Sequence, residues 1–214
     1  KLLAKEGTTF SNSFVSFSQC CPSRATFLTG QYAHNHGVMS NGREDKKGRQ
    51  QEEGGYGKLD HTNTLPVWLQ KAGYYTIHIG KYLNQYGIDD TNLSDNIPPN
   101  KEIPPGWSEW YGSIDPSTQM KYNYTLNENG ELKTYPEEYQ TDLYTKKAVK
   151  FIQKMASNNQ PFFLWVAFSA PHEDTDYIPG PEPAPRHNGS FANQSFFQSP
   201  SFNEINVSDK PQII

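Results

Sequence analysis

Two cysteines, the only two in 214 residues, stand side by side as Cys20 and Cys21, followed at once by Pro22, Ser23 and Arg24. Proline is favoured in the first turn of a helix, so the pair is expected at a helix N-terminus. Unsatisfied backbone N–H groups there favour a thiolate or any other anion. Arg24 places a cation one turn further on. Lys81, in the stretch GKYLNQYG from Gly80 to Gly87, and His172, in SAPH from Ser169, are two more donors suited to an anionic oxygen. A nucleophile precursor with several cations around one anion suits attack on a phosphate or sulfate ester. Adjacent thiols lack the CxxC spacing of a zinc site, and His34 and His36 nearby do not restore it.

Those residues need elements to hold them. Gly7 to Val15 alternates well enough to predict a strand, and the cysteine stretch then opens a helix running to about Leu28. Residues 40–62 are polar and rich in Gly, Lys, Glu and Gln, and read as a surface loop. Thr64 to Ala72 has a capping Thr, Pro66 in its first turn and Gly73 after it, which predicts a short helix. Tyr74 to Ile79 reads as a strand. Tyr122–Leu126 and Glu131–Tyr135 flank Asn129-Gly130, a hairpin signal. Thr141 to Met155 is the clearest amphipathic helix, and Phe162 to Ala170 a buried strand. Alternating helices and apolar strands predict an α/β sheet layered by helices, with chemistry at the carboxyl ends of its strands. Cys20–Arg24, Gly80-Lys81 and Pro171-His172 each follow a predicted strand.

The composition sets bounds. The chain is 34% hydrophobic and 14% aromatic with a net charge of -4, so a packed core is expected and a nucleic-acid partner is not. The longest apolar run, Phe162 to Phe168, is too short to span a bilayer. Neighbouring cysteines make no disulfide framework. Asn-x-Ser/Thr sequons lie at Asn92, Asn123, Asn188, Asn193 and Asn206, which would make an exported chain a glycoprotein in a host that glycosylates.

Cys20-Cys21-Pro22-Ser23-Arg24, then three residues, then Leu28-Thr29-Gly30, resembles the sulfatase signature C-x-P-S-R-x-x-x-L-T-G. GKYLNQYG, HNHGV, PPGWSEWYG, YNYTLNENG and SAPH are similar to segments of N-acetylglucosamine-6-sulfatases and extracellular heparan endosulfatases. Later stretches, PAPRHNGSF and PSFNEINVSDKP, look more like bacterial arylsulfatases. The resemblance implies an alkaline-phosphatase-like layered α/β/α fold. It implies hydrolysis of sulfate esters on sugars, such as the 6-sulfate of N-acetylglucosamine in glycosaminoglycans. It also implies that a formylglycine-generating enzyme converts Cys20, not Cys21, to formylglycine, which works with Ca²⁺. By the same resemblance Arg24 holds the formylglycine and helps position the metal, Lys81 binds formylglycine and a sulfate oxygen, and His172 binds the sulfate ester. A secreted, periplasmic or lysosomal setting follows for the parent protein. The rival readings are a phosphate or phosphonate monoester hydrolase of the same superfamily, and a binding protein for sulfated glycans in which Cys20 stays a thiol.

The sequence also departs from the family. Where many arylsulfatases carry a histidine two residues after the lysine, this chain has Leu83, which leaves His34 or His36 as substitutes near the substrate. The family's Asp-Asp metal pair, expected upstream, is absent from the residues before Cys20. A second Asp-Asn pair would lie beyond residue 214. The expectation is therefore one partial catalytic domain over residues 1–214, an N-terminal-to-middle portion that is inactive alone, with 178–214 as its loop-rich tail. Of the calcium ligands only the Cys20 position is expected within it.

Overall fold

The structure, a computed structural model, describes residues 2–42, 54–88, 97–174, 180–195, 198–199 and 202–210. Contacts divide the chain into two units, Lys1–Glu182 and Pro183–Ile214. In the first unit the helices are α1 (Leu2–Glu6), α2 (Cys20–Thr29), α3 (Ala33–His36), α4 (Leu65–Lys71) and α5 (Gln140–Ala156). The strands are β1 (Tyr75–Gly80), β2 (Glu109–Ser113), β3 (Tyr124–Glu128), β4 (Glu131–Tyr135) and β5 (Phe162–Ala167). In the second unit the described residues form one short 3-10 turn, Pro185–His187, amid irregular chain.

The five strands form one mixed sheet in the order β4-β3-β2-β1-β5. β2, β1 and β5 are parallel, with Gly80 opposite both Gly112 and Ala167. β3 returns antiparallel to β2 and pairs with β4 across the Asn129-Gly130 turn, where both residues take positive φ, 54° and 94°. That is the conformation a two-residue hairpin asks for.

Each face of the sheet carries its own core. On one, Ile77, Ile79, Tyr124 and Leu126 pack with Leu143, Ala148, Phe151 and Met155 of α5. These are the apolar positions of the 3.6-residue period, and burying each of the larger ones contributes about 1.5–3 kcal/mol. On the other face, Cys21, Ala25 and Leu28 of α2 join Tyr56, Tyr82, Tyr86, Trp107 and Trp110, with Phe163 and Trp165 of β5 packed against them. The result is the expected α/β/α layering.

Several sequence expectations need correction. Gly7 to Val15 forms no strand. The segment runs exposed on both alternating faces, with Phe10 79% and Phe14 90% accessible, so no burial rewards an extended pairing. The expected surface loop 40–62 is only partly within the described residues. Its far end is core: Tyr56 is fully buried, and its hydroxyl donates to Glu102 Oε1 at 2.9 Å. β2 was not anticipated, because Ser108, Glu109 and Gly112 interrupt its apolar run. The sequon at Asn92 lies outside the described residues.

Candidate active site

Cys20 is the first residue of α2, and Gln19 before it is extended. The first helical bond runs from Ser23 N to Gln19 O, 3.1 Å, so Pro22 stands where its missing N–H costs nothing. Gly30 closes the helix at φ 68°, donating to Thr26 O. Helical geometry sends the two cysteines to different environments. Cys21 is wholly buried, its backbone N–H donates to Asn41 Oδ1 at 2.9 Å, and burial pushes its thiol up to about 11. Cys20 is half-buried and faces a cavity of about 610 Å³.

Arg24, Lys81 and His172 line the same cavity, although they come from three separate parts of the chain. Arg24 donates through one guanidinium nitrogen to Lys81 O at 2.7 Å and Tyr82 O at 3.3 Å, and its guanidinium lies 5.8 Å from the Trp165 ring centre. Lys81 leaves the carboxyl end of β1, where its backbone N–H donates to Ala167 O on β5 at 2.9 Å. Burial lowers the pKa of the Lys81 ammonium, and the adjacent Cys20 sulfur acts in the opposite direction. Burial likewise lowers Arg24, again opposed by Cys20. Past the end of β5, His172 N donates to Ser169 O at 2.9 Å and the ring reaches back towards the cavity. Its Nδ1 lies 3.4 Å from the Glu173 carbonyl, which can only accept, so Nδ1 carries the proton and Nε2 faces the Gln119 amide at 3.4 Å. Burial, then Lys81, lower the His172 pKa.

The rest of GKYLNQYG is structural. Tyr82, Leu83, Asn84 and Tyr86 are all buried. Tyr86 Oη donates to Glu102 O at 2.5 Å and accepts from Trp110 Nε1 at 2.7 Å and Asn127 Nδ2 at 2.9 Å. This aromatic lattice fixes the turn from which Lys81 projects. Leu83 belongs to that core and presents nothing to the cavity.

His34 and His36 are not among the residues lining the Cys20 cavity. His34 is exposed and stacks on Tyr32 with ring centres 5.9 Å apart. His36 takes the Val38 N–H on Nδ1 at 3.1 Å and donates from Nε2 to Thr26 Oγ1, also 3.1 Å, which ties α3 to α2. Sequence reasoning also passed over Ser169, which lines the same cavity, and Gln119, which contacts His172. Ser169 lies within the SAPH stretch, but a serine carries no distinctive signal there.

A family-wide profile described as Sulfatase matches residues 1–201. The chain belongs to the sulfatase family. Human N-acetylglucosamine-6-sulfatase is 37% identical to this sulfatase-family chain over 176 residues, covering 80% of the chain and 30% of the human protein. The extracellular sulfatase SULF-1 homolog of Drosophila melanogaster is 33% identical over 221 residues, covering 100% of the chain and 17% of that protein. Among solved structures, a protein in complex with its substrate D-glucosamine-2-N,6-O-disulfate superposes with a TM-score of 0.61 at 28% identity. The match covers 89% of this chain and 31% of that one. The chain therefore spans about a third or less of the length of these relatives.

The resemblance implies calcium, and the side chains that face Cys20 do not suit it. Among the described residues no group of three or more His, Cys, Asp or Glu could hold a metal ion. The groups converging on Cys20 are the cations Arg24 and Lys81, with the His172 ring, which the Gln119 amide contacts, beside them. These repel a cation and attract an anion. The described residues make an anion site rather than a calcium site, and no chemical step is assigned to the metal.

Proposed function

We propose that the protein containing this chain hydrolyses sulfate esters of sugars, with the 6-sulfate of an N-acetylglucosamine unit as its substrate and Cys20, converted to formylglycine, as its nucleophile. The observation that carries the reading is the single cavity in which Cys20 meets Lys81, Arg24 and His172. The named relatives and the glucosamine disulfate held by the solved neighbour support the sugar and its position. The word extracellular in the fly relative's name supports export of the parent protein.

A hydrated formylglycine supplies one hydroxyl to attack sulfur and a second to expel the sulfate afterwards, which a thiol cannot do. The rest is the work of this chain's side chains. Lys81 stands against the nucleophile position and pairs with a sulfate oxygen. Arg24 is anchored by two carbonyls and supplies fixed positive charge behind Cys20. The anionic sulfate favours the charged form of His172, so that with the ester in place of Gln119 at Nε2 the imidazolium passes its Nε2 proton to the ester oxygen as the alcohol leaves. Charge growing on the equatorial sulfate oxygens meets donors already in place, so little reorganisation is needed. Calcium would need donors beyond the described residues.

Mass spectrometry of the tryptic peptide across Cys20, from protein made in its own host, tests the reading. Conversion to formylglycine lowers the mass by about 18 Da, and the preparation releases sulfate from N-acetylglucosamine 6-sulfate. An unmodified thiol at Cys20 together with no sulfate release overturns it.

A further inference from the structure

Lys121 is wholly buried, which is unusual for a lysine. It lies between the 3-10 turn Ser117–Gln119 and β3. Its backbone is clamped from several sides: Lys121 N donates to Asp174 Oδ2 at 2.6 Å, and Lys121 O accepts from Gln140 N at 2.9 Å. The Gln140 side chain, at the start of α5, donates to Thr118 O at 3.0 Å and Met120 O at 2.9 Å. The Lys121 ammonium donates to Gln119 O, and to Ser169 Oγ at 3.3 Å. Burying an ammonium costs free energy that the Asp174 and Glu182 carboxylates offset only in part, and an apolar side chain would fill the same space and tie the loop as well.

The direction of the bond to Ser169 is fixed by chemistry. An ammonium only donates, so Ser169 Oγ is the acceptor and its own O–H proton remains to be placed. Among the described residues no acceptor takes that proton. Ser169 is 7% exposed, and what it faces is the cavity shared by Cys20, Lys81 and His172. A hydroxyl whose lone pair is held by a cation has a more acidic, more strongly donating O–H.

We propose that Ser169 is a further substrate-contacting donor of the anion site, and that Lys121 is the positioning residue that aims and polarises it. The oxygen it contacts belongs to the sulfate group, so the inference rests on the function proposed above. The chain then holds sulfate through Lys81, Arg24 and His172 and also through a neutral hydroxyl backed by a buried charge.

The test measures binding of inorganic sulfate by isothermal titration calorimetry, and kcat/KM on 4-nitrophenyl sulfate, for the intact protein and its Ser169→Ala, Ser169→Thr, Lys121→Met and double Ser169→Ala/Lys121→Met forms. Loss of one hydrogen bond to a charged group is expected to weaken sulfate about 10-fold in Ser169→Ala. Ser169→Thr, which keeps the hydroxyl, stays within about 3-fold of wild type on the same scale. Lys121→Met weakens sulfate too, and the double variant is no worse than the poorer single one by more than about 3-fold, because the two residues act as one unit. A purely structural tie predicts lower melting temperatures with sulfate affinity intact, and that result overturns the proposal. So does a Ser169→Ala protein that binds sulfate as wild type does. If Lys121→Met fails to fold, the Ala and Thr forms of Ser169 decide alone. Sulfate affinity does not require turnover, so a wild-type protein that binds sulfate and hydrolyses nothing sinks the enzymatic reading while the Ser169 comparison still stands or falls.

Discussion

Replacing Gly80 with alanine tests how the two strands that carry the site are held. Gly80 ends β1 at φ 103°, and an added Cβ would stand 2.3 Å from Ala167 O and 2.9 Å from Tyr144 Cε2. Ala167 O is also the acceptor for Lys81 N, so the clash cannot be relieved without parting β1 from β5 where Lys81 leaves the sheet. Holding a non-glycine residue at that φ costs about 1–3 kcal/mol, and overpacking a tight contact about 1–3 kcal/mol more. A total near 4 kcal/mol is a large part of the ~5–15 kcal/mol that keeps a domain folded. For a chain of this size that corresponds to a fall in melting temperature of about 8–16 °C. Thermal unfolding of Gly80→Ala beside wild type, followed by far-UV circular dichroism, gives the number. Titration of inorganic sulfate into whatever remains folded should show weakened binding, because Lys81 moves with its backbone. A Gly80→Ala protein melting within about 2 °C of wild type would refute the reasoning, since it would mean that the strands separate at no cost.

Other consequences can be checked as directly. In protein whose Cys20 is still a thiol, iodoacetamide near neutral pH should alkylate Cys20 alone, because Cys21 is buried with its thiol at about 11; peptide mapping reads this. Arg24→Lys should lose the paired contacts to the Lys81 and Tyr82 carbonyls, lowering stability by about 1.5–3 kcal/mol in urea unfolding and weakening sulfate at least 10-fold. His61 is buried and held down to about 4 by burial, and its Nε2–H donates to Tyr56 O. The unfolded chain takes up its proton near pH 6.5 and the folded chain only near 4. The stabilisation is therefore complete above about 6.5 and is lost as pH falls towards 4. Urea midpoints across that range should decline, and His61→Gln should flatten the decline.

Most of the fold could be read from the residues, and so could the convergence of Cys20, Arg24, Lys81 and His172 on one cavity. α5 and β5 have strong periodicity or unbroken apolar runs, and Asn129-Gly130 admits few conformations. Lys81 and His172 were expected at strand ends, and they stand at the ends of adjacent parallel strands. The failures have physical causes. Gly7 to Val15 alternates like a strand, but alternation predicts a strand only where one face is buried, and here neither is. β2 was hidden by Glu109, whose carboxylate is occupied by Tyr75, Tyr111 and Lys154 and so is tolerated at the strand's start. Tyr56 was hidden because it follows a polar, glycine-rich stretch yet turns inward to pack edge-on against Tyr86. Lys121 and Ser169 were illegible for a different reason: a lysine reads as solvated until its neighbours are known.

The Lys81–Ala167 bond also bears on the order in which the molecule can assemble. It joins backbone atoms of residues 81 and 167, with β2, β3, β4 and α5 on the chain between them. Closing so long a loop costs entropy before any contact returns it, and pairings of that kind are slow. Cys20, Arg24 and Lys81 emerge from the ribosome long before His172, so the cradle is open-sided until β5 docks. An anion bridging Lys81 and His172, as proposed, would tie the chain across that loop and by mass action favour the docked form. Sulfate in the refolding buffer should thus report on topology, gaining affinity only once β5 is in place.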